Sequence, residues 1–484
     1  MNAALAIIAI ILVGSTALGL YAGRRVPMTL EAWSVGGRRF GVVLVWLLMA
    51  GEVYTTFTFL GASGWAYGRG APAFYILAYG TIAYILSFFV LPLLWRTGKE
   101  FGLHTQPDYF LVRYGSRGLA GLVALIGVIS IVPYLQLQLT GLGLIVQIAS
   151  AGSIAPEAAM ITAFALTCAF VYASGLKGSA WVAIVKDVTM LIAVLVVGIG
   201  LPRIYFGGIG PMLAELVRTH PAHLAFPGST TTMGTSWVIS TILLSGLGFY
   251  MWPHQFPSFF SARDEDTIRR NAIIMPLYQV PILFVFFVGF AALLVIPGLK
   301  NPDTALLELV ARTYPPWFLG FVGAAGALTA MVPASVLLLA AATLLAKNVY
   351  RPLVERRRRL TEAHLMGASR AMMLAIALLA LLLALWAPND LVKLLIFGYD
   401  GVCQFFPAVV LGLILRRIDV RAATSGIVSG VAVVGFLVAT GRDPFLGMNA
   451  GFAAFLVNLV VTLVLALLAR APLLPAAEEQ RRAA

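Results

Sequence analysis

Residues 47–70 read LLMAGEVYTTFTFLGASGWAYGRG. The stretch is apolar enough to cross a bilayer, yet it carries a carboxylate, Glu52, then Tyr54, Thr55, Thr56 and Thr58, with Gly51, Gly61 and Gly64 around them. Ionisable and polar groups at membrane depth are costly unless they face protein or water, so by default they mark a pathway. Glycine and clustered hydroxyls also let a helix open locally and free its carbonyls for a substrate or ion. The plainer reading is a seam where small residues let helices approach closely. Glu52 does not suit a seam.

The rest of the chain has the same character. Of the 484 residues, 60% are hydrophobic and 11% charged, where soluble domains average roughly 25% charged. Spans are expected at about 3–21, 42–66, 71–95, 118–150, 158–175, 180–202, 236–258, 272–297, 316–346, 369–387, 391–415, 423–440 and 447–469, about thirteen in all. The net charge of +13 suggests nucleic acid at first sight, but its placement points elsewhere. Basic clusters fall in alternate short loops: Arg24, Arg25, Arg38 and Arg39; Arg96 to Arg117; Lys177; Arg263 to Arg270; Lys347 to Arg359; Arg416 to Arg421. This positive-inside pattern predicts a multi-pass membrane protein, N-terminus outside and C-terminus cytoplasmic. Cys168 and Cys403 lie in apolar segments, which does not indicate a disulfide framework.

A second interruption is expected at 245–257, SGLGFYMWPHQFP, where two glycines, an aromatic cluster and two prolines meet around His254. Proline removes a donor and clashes with the preceding turn. Two interrupted helices five spans apart are the pattern of an inverted-repeat transporter with a midplane site. The expected organisation is an N-terminal helix and loop (1–41), a first repeat (42–202), an external loop (203–235), a second repeat (236–415) and C-terminal helices with a short tail (416–484).

Several segments can be compared with a known family. LPLLWRTGKEFGLHTQPDYFLVRYGSRGL (91–119), GLGFYMWPHQF (246–256) and ALTAMVPASVLLLAAATLLAKNVYRPL (327–353) resemble the sodium/solute symporter family, and the resemblance extends over about 30–415. Within it, GEVYTTFTFLGASGWAYGRG and GSAWVAIVKDVTM look most like the bacterial monocarboxylate permeases, which carry lactate, pyruvate and alanine. The resemblance implies an all-α, LeuT-like 5+5 inverted repeat with a peripheral first helix, acting as a monomer in a bacterial inner membrane.

Two departures from the family matter. Where most members carry a Met-Ser-Thr triplet that helps hold sodium, this chain has Met331, Val332 and Pro333. Valine and proline offer no side-chain oxygen, so the usual sodium site looks degraded; Glu52 and Thr55 are what would remain of it. Where the family commonly has Thr-Asp, this chain has Lys186 and Asp187. Lysine at membrane depth is a titratable cation. Lys186 is therefore expected to stand where sodium would sit, with Asp187 or Glu52 tuning it and the proton as coupling ion; sodium is the alternative, as is a lysine that snorkels to the interface. Neighbours in sequence do not share a helix face, so Lys186 and Asp187 need not pair directly.

The substrate site is expected from Tyr54, Thr55 and Thr56 as carboxylate donors, Gln138 by resemblance, and Met251 and Trp252 packing on a short aliphatic chain, with Tyr399 and Gln404 lining the same cavity. Trp252 and His254 are expected to gate, His254 with a structural role as the alternative. Proton-driven import of small monocarboxylates is the expected activity, with no cofactor. A membrane enzyme would want a histidine cluster or an activated nucleophile; the five histidines are scattered, and the spacing of His220 and His223 reads better as a solvated loop than as a metal site. A channel or a sensor without a transport cycle is the remaining alternative.

Overall fold

The computed structural model describes residues 2–23, 38, 40–230, 232–355, 360–387 and 390–469. Arg24, Arg25, Arg39, the arginine run 356–359 and the tail beyond 469 lie outside these residues. Ten described helices are long and apolar enough to cross a membrane, from Ala3–Ala22 to Ala450–Leu468. Val42–Gly51, Pro156–Tyr172 and Thr235–Met251 are shorter apolar helices at the other expected spans. Large side chains such as Phe89, Ile129, Val188, Leu277 and Leu467 are exposed on the outside of the bundle, as an apolar solvent requires.

The lengths follow from local signals. Arg117–Ala149 begins at Ser116, whose hydroxyl accepts from the Leu119 N–H; its 33 residues rise about 50 Å, more than a bilayer core needs. The helix Pro156–Phe206 is broken at Gly175, with φ 58° and ψ −161°, a conformation only glycine adopts cheaply. Pro316–Leu344 is the core: from Gly323 to Leu344 every residue is buried. Gly320 and Gly323 let the first helix, Ala3–Gly23, lie against it, since a Cβ at Gly320 would stand 2.7 Å from the Ala4 carbonyl. That helix exposes Ile10 and Val13 on its other side and is peripheral.

At the basic end, the segment 91–119 forms a clamp. Tyr109 and Tyr114 donate to the carbonyls of Val409 and Ala408 (3.0 and 2.6 Å), and Arg113 to that of Gly412 (2.7 Å). Asp108 reaches Lys347 at 2.7 Å and accepts from Asn348 at 2.9 Å. Burial pushes the Asp108 carboxyl up, but Lys347, Asn348 and the His104 N–H outweigh it and hold it below the usual carboxylate range.

Candidate functional site

Both expected interruptions are present. The helix Val42–Gly51 ends at Glu52, and the chain resumes as a π-helical turn, Phe57–Gly61, and the helix Ala62–Gly68. The hydroxyls of the polar run close the gap. Thr58 Oγ1 accepts from the Thr55 N–H (3.0 Å) and donates to the Val53 carbonyl (2.8 Å), while Thr55 Oγ1 accepts from the Phe57 N–H (3.2 Å). Helix ends leave donors and acceptors open, and threonines at these offsets supply local partners. The second interruption follows Thr235–Gly248: a 3-10 turn, Phe249–Met251, leads to extended Trp252 and then the helix Gln255–Phe260.

The carbonyls freed by the first break face Lys186. Its ammonium donates to Gly51 O (2.9 Å) and Tyr54 O (3.3 Å) from a side chain with no exposed area. The expectation that Lys186 and Asp187 need not pair is corrected here: Lys186 Nζ lies 2.9 Å from Asp187 Oδ1. Their Cβ atoms diverge around the helix, but the four-carbon stem is long enough to turn the ammonium back. Tyr278 donates to the same oxygen at 2.7 Å, and its ring meets Tyr54 edge-on at 4.9 Å. Lys186 therefore does not snorkel. It is bound by a broken helix on one side and an acid on the other.

The two interruptions touch through side chains. His254 Nε2 stands 3.0 Å from Glu52 Oε2, both side chains nearly fully buried, without hydrogen-bond alignment. Thr56 Oγ1 donates to Gln138 Oε1 at 2.7 Å, which leaves the buried Gln138 Nε2 as a donor with no protein partner among the described residues; the Tyr54 hydroxyl, approached by the Ile282 N–H, likewise has no acceptor for its own proton there. Trp252 packs on Tyr134, His254 and Tyr399 at 5.2, 5.6 and 5.3 Å between ring centres. The Met251 side chain is buried beside it, and its carbonyl accepts from Gln106. Tyr54, Thr55, Thr56, Gln138, Trp252, His254 and Tyr399 thus gather around the two breaks.

Gln404 does not join them. Its amide donates to the carbonyls of Asp400 and Gly451 and takes a bond from Asn458, so it faces the C-terminal helices. His223 is also corrected. It is buried, not solvated, and its Nε2 meets the Ala66 carbonyl at 2.7 Å; burial lowers its affinity for a proton and the Ala66 carbonyl opposes that. Sequence reasoning missed Tyr278, and it missed Ser335, two residues beyond Pro333, whose hydroxyl lies 2.7 Å from that of Ser179. An aromatic or a serine in an apolar run carries no signal of its own.

Interrupted helices that present backbone carbonyls to a buried charge define a secondary transporter of the LeuT-like class. The model of the sodium:solute symporter family matches residues 33–430, and the chain belongs to that family. It is 44% identical to an uncharacterized symporter of Bacillus subtilis, YhjB, over 97% of this chain and 98% of that one. It is 30% identical to a monocarboxylate transport permease protein of Rhizobium johnstonii, over 95% and 96%. Among solved structures it resembles a Na+-coupled sialic acid symporter in its substrate-bound outward-open state, with a TM-score of 0.80 at 16% identity over 98% and 99% of the two chains. The chain is a cation-coupled symporter of a small molecule, embedded in a membrane, and not an enzyme.

Proposed function

We propose that this protein imports small monocarboxylates such as lactate and pyruvate, and with them alanine, by proton symport across a bacterial inner membrane, as a monomer with its N-terminus outside. One observation carries the coupling: the Lys186 ammonium occupies the carbonyls of Gly51 and Tyr54, where a helix break offers oxygens to a cation. Protonated, Lys186 ties the broken helix to the helix that bears it. Once its proton passes to water on the inner side, the uncharged amine no longer holds both carbonyls and Asp187 together, and the break is free to rearrange. Tyr54 and Gln138 have the unpartnered donors a carboxylate needs, and the aromatic ring of Trp252 suits a short aliphatic chain. The Rhizobium relative supports the substrate class.

Sodium coupling is the second reading, favoured by the paired hydroxyls of Ser179 and Ser335 beside the Val332 carbonyl. Labelled lactate, pyruvate and alanine uptake into proteoliposomes, driven by a proton or a sodium gradient alone, separates the two. Accumulation on the proton gradient alone is expected. Accumulation that requires sodium transfers the coupling role to the serines and Asp187, and uptake that never exceeds equilibrium points to a channel.

A further inference from the structure

Two cavities open at the end of the molecule where the helix Ala62–Gly68 finishes, and Trp65 and Arg69 line both. They differ in charge. The larger, about 750 Å³, is lined by Glu157, Asp303 and Asp390. The smaller, about 300 Å³, is lined by Arg69 and Lys393 with one carboxylate, Asp443. Its remaining wall is aromatic and apolar, with Trp65, Trp237, Ile396 and Phe397.

The cations of the smaller cavity carry no short contact of their own. Neither the Arg69 guanidinium nor the Lys393 ammonium has a hydrogen bond or an ion pair within 4 Å among the described residues, whereas Arg218 at the same end is paired with Glu215 at 2.7 Å. Asp443 accepts from the Ala450 N–H at 3.1 Å, and Lys393 acts on its carboxylate only through space. The midplane offers the reverse arrangement. Lys186 is spent on two carbonyls and Asp187 and cannot also meet an anion without releasing one of them. An anionic substrate finds its positive charge at the mouth of the protein, where Arg69 lies about 20 Å along the helix from Thr56 at 1.5 Å per residue.

We propose that the Arg69–Lys393 cavity is an entry subsite for the carboxylate of a small organic anion, captured there before it passes the Trp65 side chain. This rests on the reading of the substrate as a monocarboxylate. The Trp65 indole is held in place by its bond to Asp390 at 2.8 Å and by the rings of Tyr75 and Trp237, 5.8 and 5.9 Å away. The wall beside the cations is therefore rigid, and the apolar lining suits a short aliphatic chain. Arg69 and Lys393 are half-buried; cations at a mouth act mainly on capture, and salt screens them where solvent reaches them.

The test is lactate and alanine uptake into proteoliposomes by the full-length protein, with Arg69→Gln, Lys393→Gln, the double variant and the charge-preserving Arg69→Lys. The double variant is expected to raise the KM for lactate about tenfold, with the maximal rate changed less than about twofold and the KM for zwitterionic alanine unmoved. Added salt should raise the wild-type KM and leave the double variant unaffected. Arg69→Lys should behave as wild type. An unchanged lactate KM in the double variant, or equal rises for lactate and alanine, overturns the subsite. Calorimetric binding of lactate against uncharged lactamide separates this from the substrate assignment: if wild type transports no lactate yet binds it through Arg69 and Lys393, the subsite stands and the substrate reading falls.

Discussion

Two buried polar contacts hang on the same broken helix, and they are built differently. At Lys186 the charge meets backbone: two carbonyls that the break has freed, then Asp187, itself fixed by the Tyr278 hydroxyl. At Glu52 the charge meets another titratable side chain, His254, at 3.0 Å but without alignment. Backbone acceptors move only when the helix moves, so the first contact couples a charge to a conformation. Side chains can part by rotating, so the second can open and close within one conformation.

The largest effect should come from breaking the first contact. Removing one partner of a buried pair leaves the other charge uncompensated and costs about 3–5 kcal/mol. Lys186→Gln is expected to abolish gradient-driven accumulation, by more than about 100-fold, which is roughly 3 kcal/mol, and to lower thermal stability in detergent. The double variant Lys186→Met, Asp187→Leu removes both charges and should recover most of that stability, because apolar replacement of a buried pair is often neutral, without recovering accumulation. If transport returns together with stability, Lys186 is a structural cation and the coupling assignment is lost.

The second contact should matter less. Glu52→Gln and His254→Gln are each expected to slow initial uptake about five- to tenfold while leaving accumulation at steady state. A double-mutant cycle between them should give a coupling below about 1 kcal/mol, since a poorly aligned contact is weak. A loss at Glu52 as deep as that at Lys186 would erase the distinction between the two contacts.

Much of this could be read from the sequence. A carboxylate and four hydroxylated residues inside an apolar run announced the first break, and two prolines around His254 announced the second. Lys186 stood out as a lone cation in a span. What was hidden depends on packing. Whether Lys186 turns back to Asp187 is decided by the carbonyls of a helix 135 residues away in sequence, and Tyr278 looks like any interfacial aromatic until it reaches Asp187. Gln404 and Tyr399 are neighbours but not on the same face, and only the placement of the C-terminal helices shows that Gln404 belongs to them. The clamp at 91–119 read as a family signature, and its physical content, hydroxyls and an arginine capping the carbonyls of 408–412, needed the other helix.

A third acid on the same interrupted helix system sharpens the comparison with the smallest expected effect. Gly64 lets the 302–304 turn lie directly on the helix Ala62–Gly68, since a Cβ there would stand 2.6 Å from Asp303 Oδ1 and 2.8 Å from its Cα. Burial first, then the nearby Asp390 carboxylate, push the Asp303 carboxyl from 3.8 up to about 7, against the Leu391 N–H, which lowers it. The sign follows from linkage: the packed state keeps a proton that the parted state releases, so packing is fully favoured below the ordinary carboxylate value, weakens as pH rises, and is weakest above about 7. Hydrogen exchange of peptides covering 62–68 and 301–304, corrected for intrinsic rate, should be faster at about pH 8 than at about pH 6. Asp303→Asn keeps the shape and removes the titration, so its exchange should be flat across that interval. If the variant retains the wild-type pH dependence, another group sets the contact, and this outer packing responds to the membrane's pH gradient by a route other than Asp303.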